Sequence, residues 1–229
     1  MLLLPIKQKP LAAALPASPL RRAISVAALL LFFASTVTAS AATVTLSPAD
    51  EALLTKIETY LNTQKGLTAD FLQVSADGAT RTGKAWLQRP GKMRFAYDPP
   101  DPQLLVAGFG LLVYHDPQLD QTTNIPLSAT PLGILLAKHV DLQSKSICVT
   151  QILKQPGRVD VSLVRRGKEA EGTLTLSFST DPLELQAWTV TDSQGKQTSV
   201  HLYDISPGGP FPDSLFEYIQ NSSSTSSGG

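Results

Sequence analysis

The sequence has 229 residues and one cysteine, Cys148. With no second cysteine there is no internal disulfide, and burial of apolar surface has to hold the fold. Cys148 lies between Ile147 and Val149, a setting that suits a small buried hydrophobe better than a nucleophile. Histidine is also scarce. His115, His139 and His201 are scattered without metal-ligand spacing. No serine sits in a nucleophile-elbow context. The carboxylates are spread through turns such as Asp98-Pro99-Pro100-Asp101 and do not single out a catalytic pair. Catalytic residues, a metal and a cofactor are therefore not expected. Nor is there an excess of either charge, with 19 basic and 19 acidic residues, so the broad basic surface that attracts nucleic acid is missing.

The charges that are present are unevenly placed. Residues 1–41 carry Lys7, Lys9, Arg21 and Arg22 and no acidic residue, then the apolar run "AISVAALLLFFASTV" (23–37), then Ala39 and Ala41 in an A-x-A arrangement. This is the pattern of a cleaved export signal, and the run is short for a membrane span. The tandem Arg21-Arg22 leaves general secretion and twin-arginine export both open. Cleavage after residue 41 would take four of the 19 basic residues and none of the acidic ones, leaving a mildly acidic exported chain. No cysteine stands directly after the cleavage site, so the chain is not expected to carry a lipid anchor of its own. The expected organisation is a signal over 1–41, a single domain over 42–220, and a polar Ser/Gly tail over 221–229.

At residue 47 the pattern becomes helical. Ser47 can cap, Pro48 suits the first turn, and Asp50 and Glu51 suit the positive end of the helix dipole. Leu53, Leu54, Ile57 and Leu61 then recur on one face, with Tyr60 at its edge, and Gly66 ends the run. Beyond it the period changes to two. Strands are expected over 67–75, 82–88, 92–97, 103–107, 111–115, 147–153, 159–165, 173–179, 183–191 and 198–205, most of them joined by short glycine turns. A second helix is expected in "SATPLGILLAKHVDL" (128–142), with Thr130 as cap, Pro131 in the first turn and Leu132, Leu135 and Leu136 on one face.

Successive strands with short turns imply an antiparallel meander, whose apolar face must be covered. Two short helices are small covers for about ten strands. The expected class is α+β: a strongly curved antiparallel sheet forming an incomplete, half-open barrel, lidded by short helices around a hydrophobic cavity. The alternative is a sheet that closes fully and fills with side chains.

"GATRTGKA" (78–85) almost spells a phosphate-binding loop. It lacks the final Ser or Thr and runs from a turn into a strand instead of a helix N-terminus, so its glycines are assigned to a turn and a close strand approach. "LQRPGKMRFAYDPP" (87–100) places Met93, Phe95 and Tyr97 on one face and Lys92 and Arg94 on the other, with Arg89 at the turn. Arg89 has five donors and a permanent charge. Its position near a sheet rim permits contact with backbone carbonyls at a helix end, and equally permits a solvated side chain.

These stretches, with "LTADFLQ" (67–73), "LLVAGFGLLVYHDP" (104–117), "TPLGILLA" (130–137) and "WTVTDSQGKQTSVHLYDI" (188–205) followed by "DSLFEY" (213–218), resemble in order and spacing the periplasmic outer-membrane lipoprotein carriers of the LolA family. The resemblance implies a soluble periplasmic protein, monomeric and without a cofactor. Its partners would be acylated lipoprotein cargo, an inner-membrane lipoprotein-releasing ABC transporter and a LolB-like outer-membrane receptor. It gives Arg89 the part of a latch on lid backbone carbonyls, with Leu61, Thr130, Leu135 and Leu136 at the lid. The candidates to line an acyl-chain cavity are Phe71, Leu87, Met93, Phe95, Tyr97, Leu132 and Leu135, with core packing as the other reading. The chain departs from the family at Gly108-Phe109-Gly110, where an Asp-Gly turn is usual, and in its short segment after Tyr218. A sensor on the same fold, a LolB-like receptor and an exported hydrolase are the rival functions.

Overall fold

The computed structural model describes residues 45–218; the expected signal and the Ser/Gly tail lie outside them. Helix α1 spans Pro48–Thr63 and begins with a capping box, in which Ser47 and Asp50 each accept from the other's backbone N–H. Its apolar stripe, Leu54, Ile57 and Leu61, is buried. Eleven strands follow: β1 Gly66–Val74, β2 Thr80–Gln88, β3 Lys92–Tyr97, β4 Leu104–Gly108, β5 Leu111–Asp116, β6 Gln121–Pro126, β7 Ile147–Gln155, β8 Arg158–Arg165, β9 Thr173–Thr180, β10 Leu183–Thr191 and β11 Gln197–Pro207.

All eleven form one antiparallel sheet in the order β6-β5-β4-β3-β2-β1-β11-β10-β9-β8-β7. The sheet does not close; β6 and β7 are its two edges. An open twisted sheet of this width curls, and register shifts in the β1–β11, β9–β10 and β7–β8 pairs help it bend. The curl can be measured. Phe95 on β3 and Trp188 on β10 are four strand spacings apart, about 19 Å in a flat sheet, yet their ring centroids are 5.9 Å apart. Phe71 joins them, 4.6 Å from Phe95 and 5.3 Å from Tyr97. The inward faces of the two halves thus meet across the concave side, and α1 lies over what remains.

β6 was not among the expected strands. Its sequence, QTTNIP, is mostly exposed, so an edge strand wet on both faces leaves no apolar alternation to read. The second helix is shorter than its pattern suggested. A 3-10 turn at Leu127–Ala129 precedes α2, which is the single turn Leu132–Leu135. Thr130 does not cap α2; its hydroxyl donates to the Leu127 carbonyl at 3.0 Å, and Pro131 holds the cap position. Val140 and Leu142 are buried because α1 pins them, not because the helix continues. Asn62 exchanges both amide bonds with the Val140 backbone at 2.8 and 2.9 Å, and Glu58 accepts from the Leu142 N–H at 2.7 Å.

The turn glycines of the near phosphate-loop motif have structural work. Gly78 has a φ of +82°, and Gly83 leaves room for Phe71, whose ring would stand 2.9 Å from a Cβ placed there. On the convex face Lys92 and Arg94 hold the C-terminal segment. Lys92 pairs with Asp213 at 2.8 Å, Arg94 donates to the Leu215 carbonyl at 3.0 Å, and Phe216 is buried over Gly108. Beside it, the departing turn carries Phe109 at φ +50° and 71% exposed.

Candidate functional site

The turn Arg89-Pro90-Gly91 between β2 and β3 meets the C-terminal ends of both helices. Arg89 extends the inward row Ala85-Leu87, and its Nη2 donates to the carbonyl of Gln64, the C-cap of α1. No basic residue lies in the last turn of α1, so Arg89 supplies from a neighbouring strand the cation that the negative end of the helix dipole favours. The Arg89 backbone N–H donates to the Lys65 carbonyl at 2.8 Å, and the Gly91 N–H donates to the Leu136 carbonyl at the end of α2, also at 2.8 Å. One tight turn therefore holds two helix ends against the sheet.

Between these elements lies a cleft of about 20 Å³, lined by the apolar residues Leu61, Leu67, Leu87, Leu135, Leu136 and Leu185 with Tyr60 and Arg89. That is room for about one water molecule. Burial lowers the Arg89 guanidinium below its ordinary pKa, and the nearby Tyr60 hydroxyl opposes that shift. Burial raises the Tyr60 phenol, whose oxygen accepts from the Leu185 N–H at 3.1 Å. A guanidinium stays protonated under such conditions, so the cleft holds one lasting positive charge against aliphatic walls.

Of the residues singled out in the sequence, Leu61, Leu87, Arg89, Leu135 and Leu136 meet around this cleft. Phe71, Met93 and Phe95 form the layer behind it, each at most 1% exposed. Tyr97 stands at the far end of the aromatic row and donates to Gln73 at 2.9 Å. Leu132 is buried on α2, and Thr130 is buried two residues before it. Arg89 reaches the α1 terminus, while the α2 carbonyl is taken by a backbone N–H. Tyr60, Gln64, Leu67 and Leu185 are additions that the strand pattern could not single out, since their neighbourhood depends on how α1 crosses the sheet.

Residues 62–219 match the family model described as outer membrane lipoprotein carrier protein LolA. The chain belongs to the LolA family. The match takes in the Arg89 turn, α2 and every strand, and leaves most of α1 outside. An outer-membrane lipoprotein carrier protein of Pseudomonas aeruginosa is 31% identical over 168 residues, covering 68% of this chain and 78% of that one. One from Methylococcus capsulatus is 26% identical over 181 residues, covering 75% and 86%. Among solved structures, a LolA superfamily protein from Nitrosomonas europaea covers 72% of this chain and 97% of its own at 9% identity, with a TM-score of 0.40. No helix among the described residues is long and apolar enough to cross a membrane.

Proposed function

We propose that this LolA-family chain is a soluble periplasmic chaperone that shields the acyl chains of lipoproteins beneath α1 and α2. It takes cargo from an inner-membrane lipoprotein-releasing ABC transporter, hands it to a LolB-like outer-membrane receptor, and works as a monomer with no catalytic step. The observation that carries this reading is the aliphatic cleft at the Arg89 turn, where both helix ends are held by a few polar bonds over apolar walls.

On this reading the lid stands closed, since about 20 Å³ admits no acyl chain. Loading requires the helix ends to lift. Leu61, Leu67, Leu87, Leu135, Leu136 and Leu185, which pack on one another in the empty state, then face cargo. Phe71, Met93, Phe95, Tyr97 and Leu132 are the next layer, for the distal parts of the chains. Each acyl methylene buried contributes about 0.8 kcal/mol, so a cavity without competition would hold its cargo too long. A closed state that must be opened first lowers the apparent affinity by the fraction of competent molecules. The polar bonds at Arg89 and Gly91 provide that competition, and the carrier can then release.

The test is purification from periplasm followed by native mass spectrometry and a transfer assay. A bound triacylated peptide that passes to an acceptor membrane bearing the receptor is the expected result. Binding without transfer would point to a sensor on the same fold, and no bound acylated peptide would remove the carrier reading.

A further inference from the structure

We infer that Arg165 is a second clasp on the lid, and that its grip competes with cargo as that of Arg89 does. Only the competition with cargo rests on the carrier reading; the clasp itself stands on geometry. The segment 127–146 runs from the end of β6 to the start of β7, and so links the two free edges of the sheet. Arg165 is the last residue of β8, the strand next to β7. It ends the inward row Val159, Val161 and Leu163, each at most 1% exposed, as Arg89 follows the inward row of β2. Both arginines thus stand one step beyond an apolar row, and both donate to backbone carbonyls of the covering segments.

Arg165 Nη1 donates to the Ser128 carbonyl, in the 3-10 turn that opens the lid segment, and to Glu171 Oε2 at 3.2 Å. Glu171 is held in turn by Lys168 at 3.3 Å. The Arg165 and Glu171 side chains are 18% and 17% exposed, so water screens the pair less than an ordinary surface pair. The fit around the guanidinium is close. A Cβ on Gly133, in the first turn of α2, would meet Arg165 and stand 2.6 Å from the Leu127 carbonyl oxygen.

The neighbouring arginine acts on the other end of the same segment. Arg166 points away from Arg165, and its Nε donates to the Lys145 carbonyl at 3.0 Å while its N–H donates to the Ser146 carbonyl at 2.9 Å. The pair brackets the lid, with Ser128 held at its entry and Lys145 at its exit. A cavity of about 290 Å³ adjoins Arg165 between Gly133, Ile134, His139 and Ile147, which gives the guanidinium space to swing when the Ser128 carbonyl leaves. The entry bond is therefore a releasable tie, and the exit bonds form the hinge side.

A tie that merely stabilised a loop would, on removal, weaken the protein and its binding together. A clasp that competes with cargo does the reverse for binding. The experiment compares the purified native protein with Arg165→Gln, Arg165→Lys and Glu171→Gln. It reads amide hydrogen exchange of residues 127–136 in the empty protein, and the affinity for a fluorescent synthetic triacylated cysteinyl peptide. In Arg165→Gln the lid amides should exchange about tenfold faster with β1–β3 unchanged, and the peptide should bind about tenfold tighter, as expected for one charge-assisted bond. Arg165→Lys should restore part of both effects. Glu171→Gln, which leaves Arg165 in place but unanchored, should show both more weakly, and it serves as the measurement if Arg165→Gln does not fold. Unchanged lid exchange in these variants overturns the clasp. Faster lid exchange with unchanged or weaker peptide affinity overturns the competition. Faster lid exchange with no peptide binding even by the native protein supports the clasp and removes the carrier reading.

Discussion

The Arg89 guanidinium caps α1 by donating to the Gln64 carbonyl, twenty-five residues away in sequence. The contact joins the sheet to a helix whose own last turn has no cation. In Arg89→Leu the leucine would complete the aliphatic wall of the cleft, so the fold should persist. The empty state would lose a charge-assisted bond of about 1.5–3 kcal/mol. Cargo should then be held about ten- to a hundredfold more tightly, and transfer to a receptor-bearing acceptor membrane should slow accordingly. Release as fast as that of the native protein would remove the latch role from Arg89.

Asn62 and the Val140 backbone exchange two hydrogen bonds, at 2.8 and 2.9 Å, in the manner of a strand pair. In Asn62→Ala both are lost and a partly buried N–H and C=O are left without a protein partner. A loss of about 1–3 kcal/mol is expected, together with faster hydrogen exchange at Val140 and Leu142 and little change in the sheet. Thermal unfolding and exchange measured on the same sample check this. Unaltered exchange at Val140 would show that α1 does not hold this loop.

These contacts mark where the sequence was legible and where it was not. The α1 cap was readable from Ser47-Pro48-Ala49-Asp50, and the β3 and β10 limits followed from local alternation, because in both cases the signal lies within one turn or one pleat of the residue concerned. β6 was invisible because neither of its faces is buried. α2 is shorter than the stretch 128–142 suggested, because Val140 and Leu142 are held by Asn62 and Glu58 on a distant helix and not by a further helical turn. Alternation, helical spacing and family likeness singled out Leu87, Arg89, Leu135 and Leu136, and the fold brings these side chains together at one cleft. The Gln64 carbonyl was not singled out, since a backbone acceptor leaves no residue-type signature. Arg165 had a signal, an arginine closing an inward apolar row, but nothing local to show what it would meet.

Gly83 supplies a prediction about the core. A methyl group there would stand 2.9 Å from the Phe71 ring and still closer to the Ala96 carbonyl oxygen. The backbone of β3 cannot yield without breaking its pairing with β2. Overpacking of this kind costs about 1–3 kcal/mol. Gly83→Ala should lower the denaturant midpoint by a corresponding amount at an unchanged slope. Gly78→Ala, with nothing within 4 Å but a φ of +82°, should cost about 1 kcal/mol through backbone strain alone. Equal stability of Gly83→Ala and the native protein would show that the β2–β3 contact is looser than this geometry implies.

Tyr97 gives the fold a limit at high pH. Burial, helped by the nearby Tyr114, pushes its phenol from the ordinary 10.0 up to about 12, although Arg81 and the bond to Gln73 pull it back. The neutral phenol is the form that the folded state keeps. Below pH 10 both folded and unfolded chains hold the proton, and the stabilisation is fully present. Between pH 10 and about 12 the unfolded chain ionises first, so stability falls as pH rises through that window. The loss from this one group approaches about 2–3 kcal/mol above it. Tyr97→Phe removes the titrating proton and one hydrogen bond to Gln73. It should therefore be slightly less stable at neutral pH and lose less stability on going from pH 9 to pH 12. Denaturant unfolding of both proteins across that range measures the difference, and parallel curves would mean that the Tyr97 hydroxyl is far better hydrated than its place beside Phe71 implies.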